Sequence, residues 1–283
     1  MITKKNIQVK STQHNKPILT DVFYTKNNIK KPVVIFCHGY KGFKDWGAWN
    51  LAAPEFANAN LFFLKFNFSH NGGTVENPIN FPDLEAFGHN NFIIELNDLE
   101  DIINWITNNL DYKDEVDPNN ITLIGHSRGG GLVTIKASEN KRVSKLISWA
   151  GVSDFGARFP KDEKTLQYWE KEGVSYIENS RTKQQMPHYF QFYTNFKENE
   201  ERLTIKNAVQ KLTIPHLIIQ GKKDEVVPPV EAENLHSWNP KSTLFIIDEM
   251  NHPLGCSEPY TAPKMPVHLA EVVKQSIDFI LNN

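Results

Sequence analysis

Ile121-Thr122-Leu123-Ile124-Gly125-His126-Ser127-Arg128-Gly129-Gly130-Gly131 runs from a short β-branched apolar segment into a glycine, a serine two residues on, and three further glycines. The apolar run predicts a strand, and Leu132 to Glu139 predicts a helix. A G-x-S-x-G pattern between a strand and a helix has a mechanical meaning. The serine is forced into a strained backbone conformation that only small neighbours tolerate, so its hydroxyl stands clear of the sheet. The following helix aims its free N–H groups at the same point. The bare pattern is frequent enough by chance that its surroundings must carry the argument, since an ordinary turn with Ser127 as N-cap would look the same.

Working outward, Pro32 to Cys37 is a continuous apolar run of the kind buried on both faces of a parallel sheet, and it ends in His38-Gly39-Tyr40-Lys41-Gly42-Phe43. Leu61 to Phe68 is a second such run, ending in Ser69-His70-Asn71-Gly72-Gly73. Further strands are read at Lys145 to Ala150, Pro215 to Gln220 and Ser242 to Asp248. Helices are read at Ala48 to Ala59, Pro229 to Trp238 and Val267 to Leu281. The clearest helix carries Phe92, Leu96, Leu99, Ile103, Ile106 and Leu110 at steps of four and three. Asn6 to Ser11 and Pro17 to Tyr24 suggest an antiparallel edge.

This alternation predicts an α/β fold, a mostly parallel sheet with helices on both faces, whose strand-end loops line the functional crevice. The rhythm breaks between 154 and 212, a polar stretch read as helical in pieces and without a core strand. It holds ten aromatics in its 59 residues, against 11% aromatic content overall. The expected organisation is therefore a core domain of 1–153 and 213–283 with a lid inserted at 154–212.

Composition bounds the partners. A formal net charge of -2, from 31 basic and 33 acidic residues, supplies no field for a polyanion, so neither nucleic acid nor an anionic membrane is expected. Lys30-Lys31 and the run Glu198 to Glu201 are read as solvated surface. No apolar stretch spans a bilayer and Met1 to Lys10 has no signal-like core, so the chain is read as cytoplasmic, and its two cysteines agree. No CxxC or HExxH occurs, so no metal and no cofactor is expected.

A serine hydroxyl needs a base to take its proton and pass it to the leaving group. Four histidines lie where strands end. His126 is read as packing and His38 as pinning the loop before the paired glycines. His70 is read as shaping its loop or touching substrate. His252, in the loop after the last strand, is placed to cross the sheet edge toward Ser127. Asp224, closing the penultimate strand, is the carboxylate expected on its other nitrogen, with Asp248 and Glu225 as weaker competitors. Donors for a developing oxyanion would be the backbone N–H groups of Arg128 and Tyr40. Candidate substrate contacts are His38, Phe43 and His70 on the strand-end loops, and Trp169 and Tyr189 on the insert. The alternative is that the insert's aromatics pack only its own small core.

The order serine, aspartate, histidine, with His38-Gly39-Tyr40 ahead of Gly125-His126-Ser127-Arg128-Gly129, resembles the α/β-hydrolase fold serine hydrolases across nearly the whole chain. Phe66 to Gly72 and the insert make it similar to the cinnamoyl and feruloyl esterase-like group, which often reads Gly-His-Gly where this chain has Ser69-His70-Asn71. The resemblance implies a lid over the active site and hydrolysis of carboxylic esters of small acyl groups, aromatic ones included. Two other readings remain open at this point. A dipeptidyl or acylaminoacyl peptidase shares the motif set, but such enzymes usually carry a large N-terminal propeller and only 31 residues precede the Pro32 strand. A non-catalytic binding protein could also keep the fold. A dehalogenase or epoxide hydrolase would want a carboxylate at position 127.

Overall fold

The computed structural model describes residues 1–283. Eight strands form one sheet in the order β1-β2-β4-β3-β5-β6-β9-β10. They are β1 (Ile2–Val9), β2 (Ile18–Tyr24), β3 (Lys31–Cys37), β4 (Phe62–Phe66), β5 (Val116–His126), β6 (Val143–Trp149), β9 (His216–Gly221) and β10 (Thr243–Ile247). Only β2 runs against its neighbours β1 and β4, and every pairing from β4 to β10 is parallel. The expected α/β architecture with an antiparallel edge is therefore what forms.

The centre of the sheet follows from composition. Val33 to Cys37 and Ile121 to His126 are buried without interruption, because helices cover both faces there. One core lies between the sheet and α3 (Phe92–Asn108), α4 (Arg128–Glu139) and α9 (Pro229–Trp238), and the other under α1 (Trp49–Asn58) and α10 (Val267–Asn282). The short α2 (Leu84–His89) precedes α3, and the side chains of Asp83 and Asn91 cap the two.

The sequence reading misjudges Lys31. It is buried, with Nζ 2.6 Å from Glu115 Oε2, because the start of β3 is covered by the turn at Asn27 to Ile29 and charge is tolerated there only when paired.

Between 154 and 212 the chain makes α5 (Glu163–Glu172), the hairpin β7 (Val174–Glu178) with β8 (Gln185–Tyr189), then α6 (Gln191–Glu198), α7 (Glu200–Leu203) and α8 (Ile205–Lys211). The hairpin is a separate two-stranded sheet, so the central sheet gains no strand from this stretch, although two strands do form where helical pieces were expected. Phe155, Phe159, Trp169 and Phe196 join the main core, and Ile205 packs against the start of α4 at Gly131. No helix is long and apolar enough to cross a membrane.

Candidate active site

Ser127 sits at the turn between β5 and α4 with φ 56 and ψ -121, the strained conformation that the flanking glycines make room for. Its backbone is held by three hydrogen bonds, N–H to Trp149 O at 3.0 Å and carbonyl from Val152 and Gly130 N–H at 3.1 and 2.9 Å. α4 begins at Arg128, earlier than the expected Leu132, so the glycines form its first turn. The reason is close packing. A Cβ on Gly125 would stand 2.3 Å from Gly129 O, and one on Gly129 would stand 2.5 Å from Cys37 O.

The structure brings Ser127, His252 and Asp224 together. Ser127 Oγ lies 3.0 Å from His252 Nε2, and His252 Nδ1 lies 2.8 Å from Asp224 Oδ2. Asp224 is buried and also accepts from the N–H groups of Val226 and Val227 and from Gln220 Nε2. Burial pushes its pKa up, but the His252 hydrogen bond and charge and the two backbone donors outweigh this and hold it below the usual carboxylate value. Asp248 faces solvent instead, 3.3 Å from Lys222 Nζ. His126, read as packing, is buried and also holds the His252 loop, with Nε2 2.9 Å from the His252 carbonyl. Burial and the neighbouring His252 ring take its pKa down to about 3, so it remains neutral.

The loop after β3 lies directly over the serine, since a Cβ on Gly39 would be 2.9 Å from Ser127 Cβ. His38 pins this loop: Nδ1 lies 2.9 Å from Gly39 O, and Nε2 accepts the Phe68 N–H at 3.3 Å. Arg128 opens α4, so its N–H has no intrahelical partner. Its side chain pairs with buried Glu95 at 2.9 Å and lies against the rings of Phe92 and Phe192.

Two cavities of opposite character meet at Ser127. The larger, about 720 Å³, runs under the 154–212 stretch, and 13 of its 21 lining residues are hydrophobic, among them Phe92, Phe159, Trp169 and Phe192. The other, about 430 Å³, is bordered by His38, Gly39 and His252, and only 3 of its 15 lining residues are hydrophobic.

Of the expected substrate contacts, Trp169 lines the first cavity and His38 the second. The other three border neither. Phe43 is buried in a small cluster with Phe81, Phe87 and Met186, because the loop turns its ring under the surface. His70 turns toward Ser69 and His14, with Nδ1 2.7 Å from Ser69 Oγ. Tyr189 faces away from the cavity, its hydroxyl on Glu85 and its ring against Gly88. The alternation of β8 explains the miss, since its inward neighbour His188 lines the cavity in its place. His188, Phe192 and Glu95 all escaped the sequence reading. The spacing of Glu95 on α3 relative to Phe92 is the one local signal that could have found it.

The BD-FAE family model matches residues 20–239. Two curated proteins of Escherichia coli, each described as an uncharacterized 31.7 kDa protein in the traX-finO intergenic region, are 30% identical over 131 residues, 46% of this chain. The match spans about two fifths of those relatives' length, 40%. Among solved structures, Est1E from Butyrivibrio proteoclasticus, in the structure described as bound to ferulic acid, superposes with a TM-score of 0.70 at 16% identity, covering 98% of both chains. The α/β hydrolase GrgF from Penicillium sp. sh18 gives 0.72 at 16% identity, with 100% and 99% covered. The esterase domain of a Rhodothermus marinus protein gives 0.65 at 15%, with 99% and 98% covered. These structural likenesses extend the α/β-hydrolase fold to the whole chain, and the family match assigns it: the chain belongs to the BD-FAE family.

Proposed function

We propose that this chain is a serine carboxylesterase in which Ser127 is the nucleophile, His252 the general base and acid, and Asp224 the carboxylate that orients the imidazole. The observation that carries the reading is the unbroken contact chain from Ser127 Oγ through His252 to Asp224, at 3.0 and 2.8 Å, at the meeting point of two cavities. His252 takes the serine proton as Oγ attacks the ester carbonyl, then delivers it to the departing alkoxide. Water repeats the sequence on the acyl-enzyme and restores the free serine. Asp224 keeps the proton of the neutral imidazole on Nδ1, leaving Nε2 free to accept.

The N–H groups of Arg128 and Tyr40 are proposed as the oxyanion donors, the first at the start of α4 and the second next to Gly39 over the serine. Residues 154–212 are proposed as the lid, anchored to the core through α8, and Trp169 and His188 as contacts to the acyl group. A cavity of about 720 Å³ lined by aromatic rings suits a small acid, aromatic acids included.

Turnover of short p-nitrophenyl esters by the parent and by Ser127→Ala tests this. The variant should lose activity on the order of 10⁴-fold or more, and a fluorophosphonate probe should label the parent at Ser127 alone. Equal rates in both proteins would remove Ser127 from the reaction.

A further inference from the structure

The two cavities at Ser127 differ in more than polarity, and the difference bears on the alcohol half of the substrate. This inference rests on the esterase reading above. As general acid, His252 must reach the leaving oxygen, so the alcohol departs on the side where its ring is exposed. His252 borders the polar cavity and not the lid cavity. The acyl group therefore occupies the apolar lid cavity, and the alcohol the polar one.

The polar cavity carries two cations without a carboxylate partner. Lys41 Nζ meets the Glu178 carbonyl at 3.4 Å and lies over the Tyr40 ring. Arg181 donates to Asn80 Oδ1 at 2.9 Å and to the Ile79 carbonyl, with its guanidinium over the rings of Phe43 and Phe81. The one carboxylate on the cavity wall, Glu258, accepts the Gly47 N–H at 2.6 Å. Partial burial pushes the Lys41 pKa down, the response of an ammonium that has lost water without gaining a counter-ion. Two cations against one carboxylate leave this wall net positive, which suits an anion.

We propose that the ester cleaved here joins an apolar acid to an alcohol bearing a phosphate or carboxylate group, and that Lys41 and Arg181 recognise that anion. In the reaction a bond forms between Ser127 Oγ and the acyl carbon while the bond from that carbon to the alkoxy oxygen breaks. The serine proton passes through His252 Nε2 to the departing oxygen, so the anionic alcohol leaves with its own charge unchanged. Water then cleaves the acyl-enzyme by the same proton path.

Phenylpropanoyl esters of glycerol phosphate, glycerate and glycerol share one acid and differ in leaving-group charge. In the parent, kcat/KM for at least one anionic ester should exceed that for the glycerol ester by about tenfold at low salt. The preferred anion identifies the group. The ratio should shrink in high salt and fall toward one in Lys41→Gln and in Arg181→Gln. A glycerol ester cleaved as fast as both anionic esters, or a preference unchanged by salt and by both variants, would overturn the proposal. Failure of all three esters and of p-nitrophenyl esters, with no fluorophosphonate labelling of Ser127, would instead remove the esterase reading on which it rests.

Discussion

Tyr40 Oη lies 2.9 Å from His188 Nε2, so the loop over Ser127 is tied by a side chain to the β8 hairpin. Phe192 of α6 adds a second tie, lying against the Arg128 guanidinium at 5.0 Å. The side chains of both proposed oxyanion donors are thus held by the 154–212 stretch, and the seating of that stretch bears on the donors' positions. Tyr40→Phe and His188→Ala should each lower kcat about three- to tenfold, the range for one buried hydrogen bond, with a smaller change in KM. The double variant should lose little more than either single one. Fully additive losses would show that the two side chains act independently.

Asp224→Asn should keep the fold yet lower kcat on the order of 10⁴-fold, because the amide favours the wrong imidazole tautomer. Asp248→Asn removes a carboxylate that meets only Lys222 at the surface and should stay within about twofold of the parent. Steady-state rates of the two variants, measured beside circular dichroism, separate the two aspartates.

At Gly129 the constraint is space. An added methyl would meet the Cys37 and His38 carbonyls at 2.5 and 2.6 Å, the first at the end of β3 and the second at the start of the loop over the serine. Gly129→Ala should therefore destabilise the protein by about 1–3 kcal/mol in urea unfolding and lower kcat in the fraction that folds. A variant of parental stability would mean that β3 and α4 can separate without cost.

Trp169 and Tyr189 lie in the same insert with different surroundings. Trp169 lines the apolar cavity and donates its Nε1–H to the His188 carbonyl at 2.7 Å, whereas Tyr189 faces outward onto Glu85. Trp169→Ala should raise KM for aryl-acyl esters about tenfold or more, and Tyr189→Ala should leave it within about twofold. The reverse ranking would place the acyl group elsewhere.

Burial lowers the pKa of His38 and His188 to about 4 and that of His126 to about 3, against an ordinary value of 6.5. The unfolded chain therefore binds more protons than the folded one between these values. The stability these residues contribute is complete above pH 6.5 and is lost as pH falls through 4 and toward 3. Urea midpoints should decline steadily from neutral pH to about pH 4, and less steeply in His38→Gln, which removes one of the groups. A flat profile would show that the rings carry charge in the folded state.

The α/β fold and its alternation of strands and helices were legible because they rest on local patterns: unbroken apolar runs at Val33 and Ile121, a 3.6-residue stripe through Phe92 to Ile106, and glycines at a strand-to-helix turn. The strand-end rule then singled out Ser127, Asp224 and His252 without any knowledge of distance. The hairpin of Val174–Glu178 and Gln185–Tyr189 was not legible, because a half-exposed two-stranded ribbon needs no clean alternation of apolar and polar residues. Nor were the contacts of Tyr40 with His188, or of Arg128 with Glu95 and Phe192. Those pairs join residues 148, 33 and 64 positions apart along the chain. A local pattern records which face of an element is buried. Which distant side chain meets that face depends on how the elements pack, and here packing alone decided what surrounds the serine.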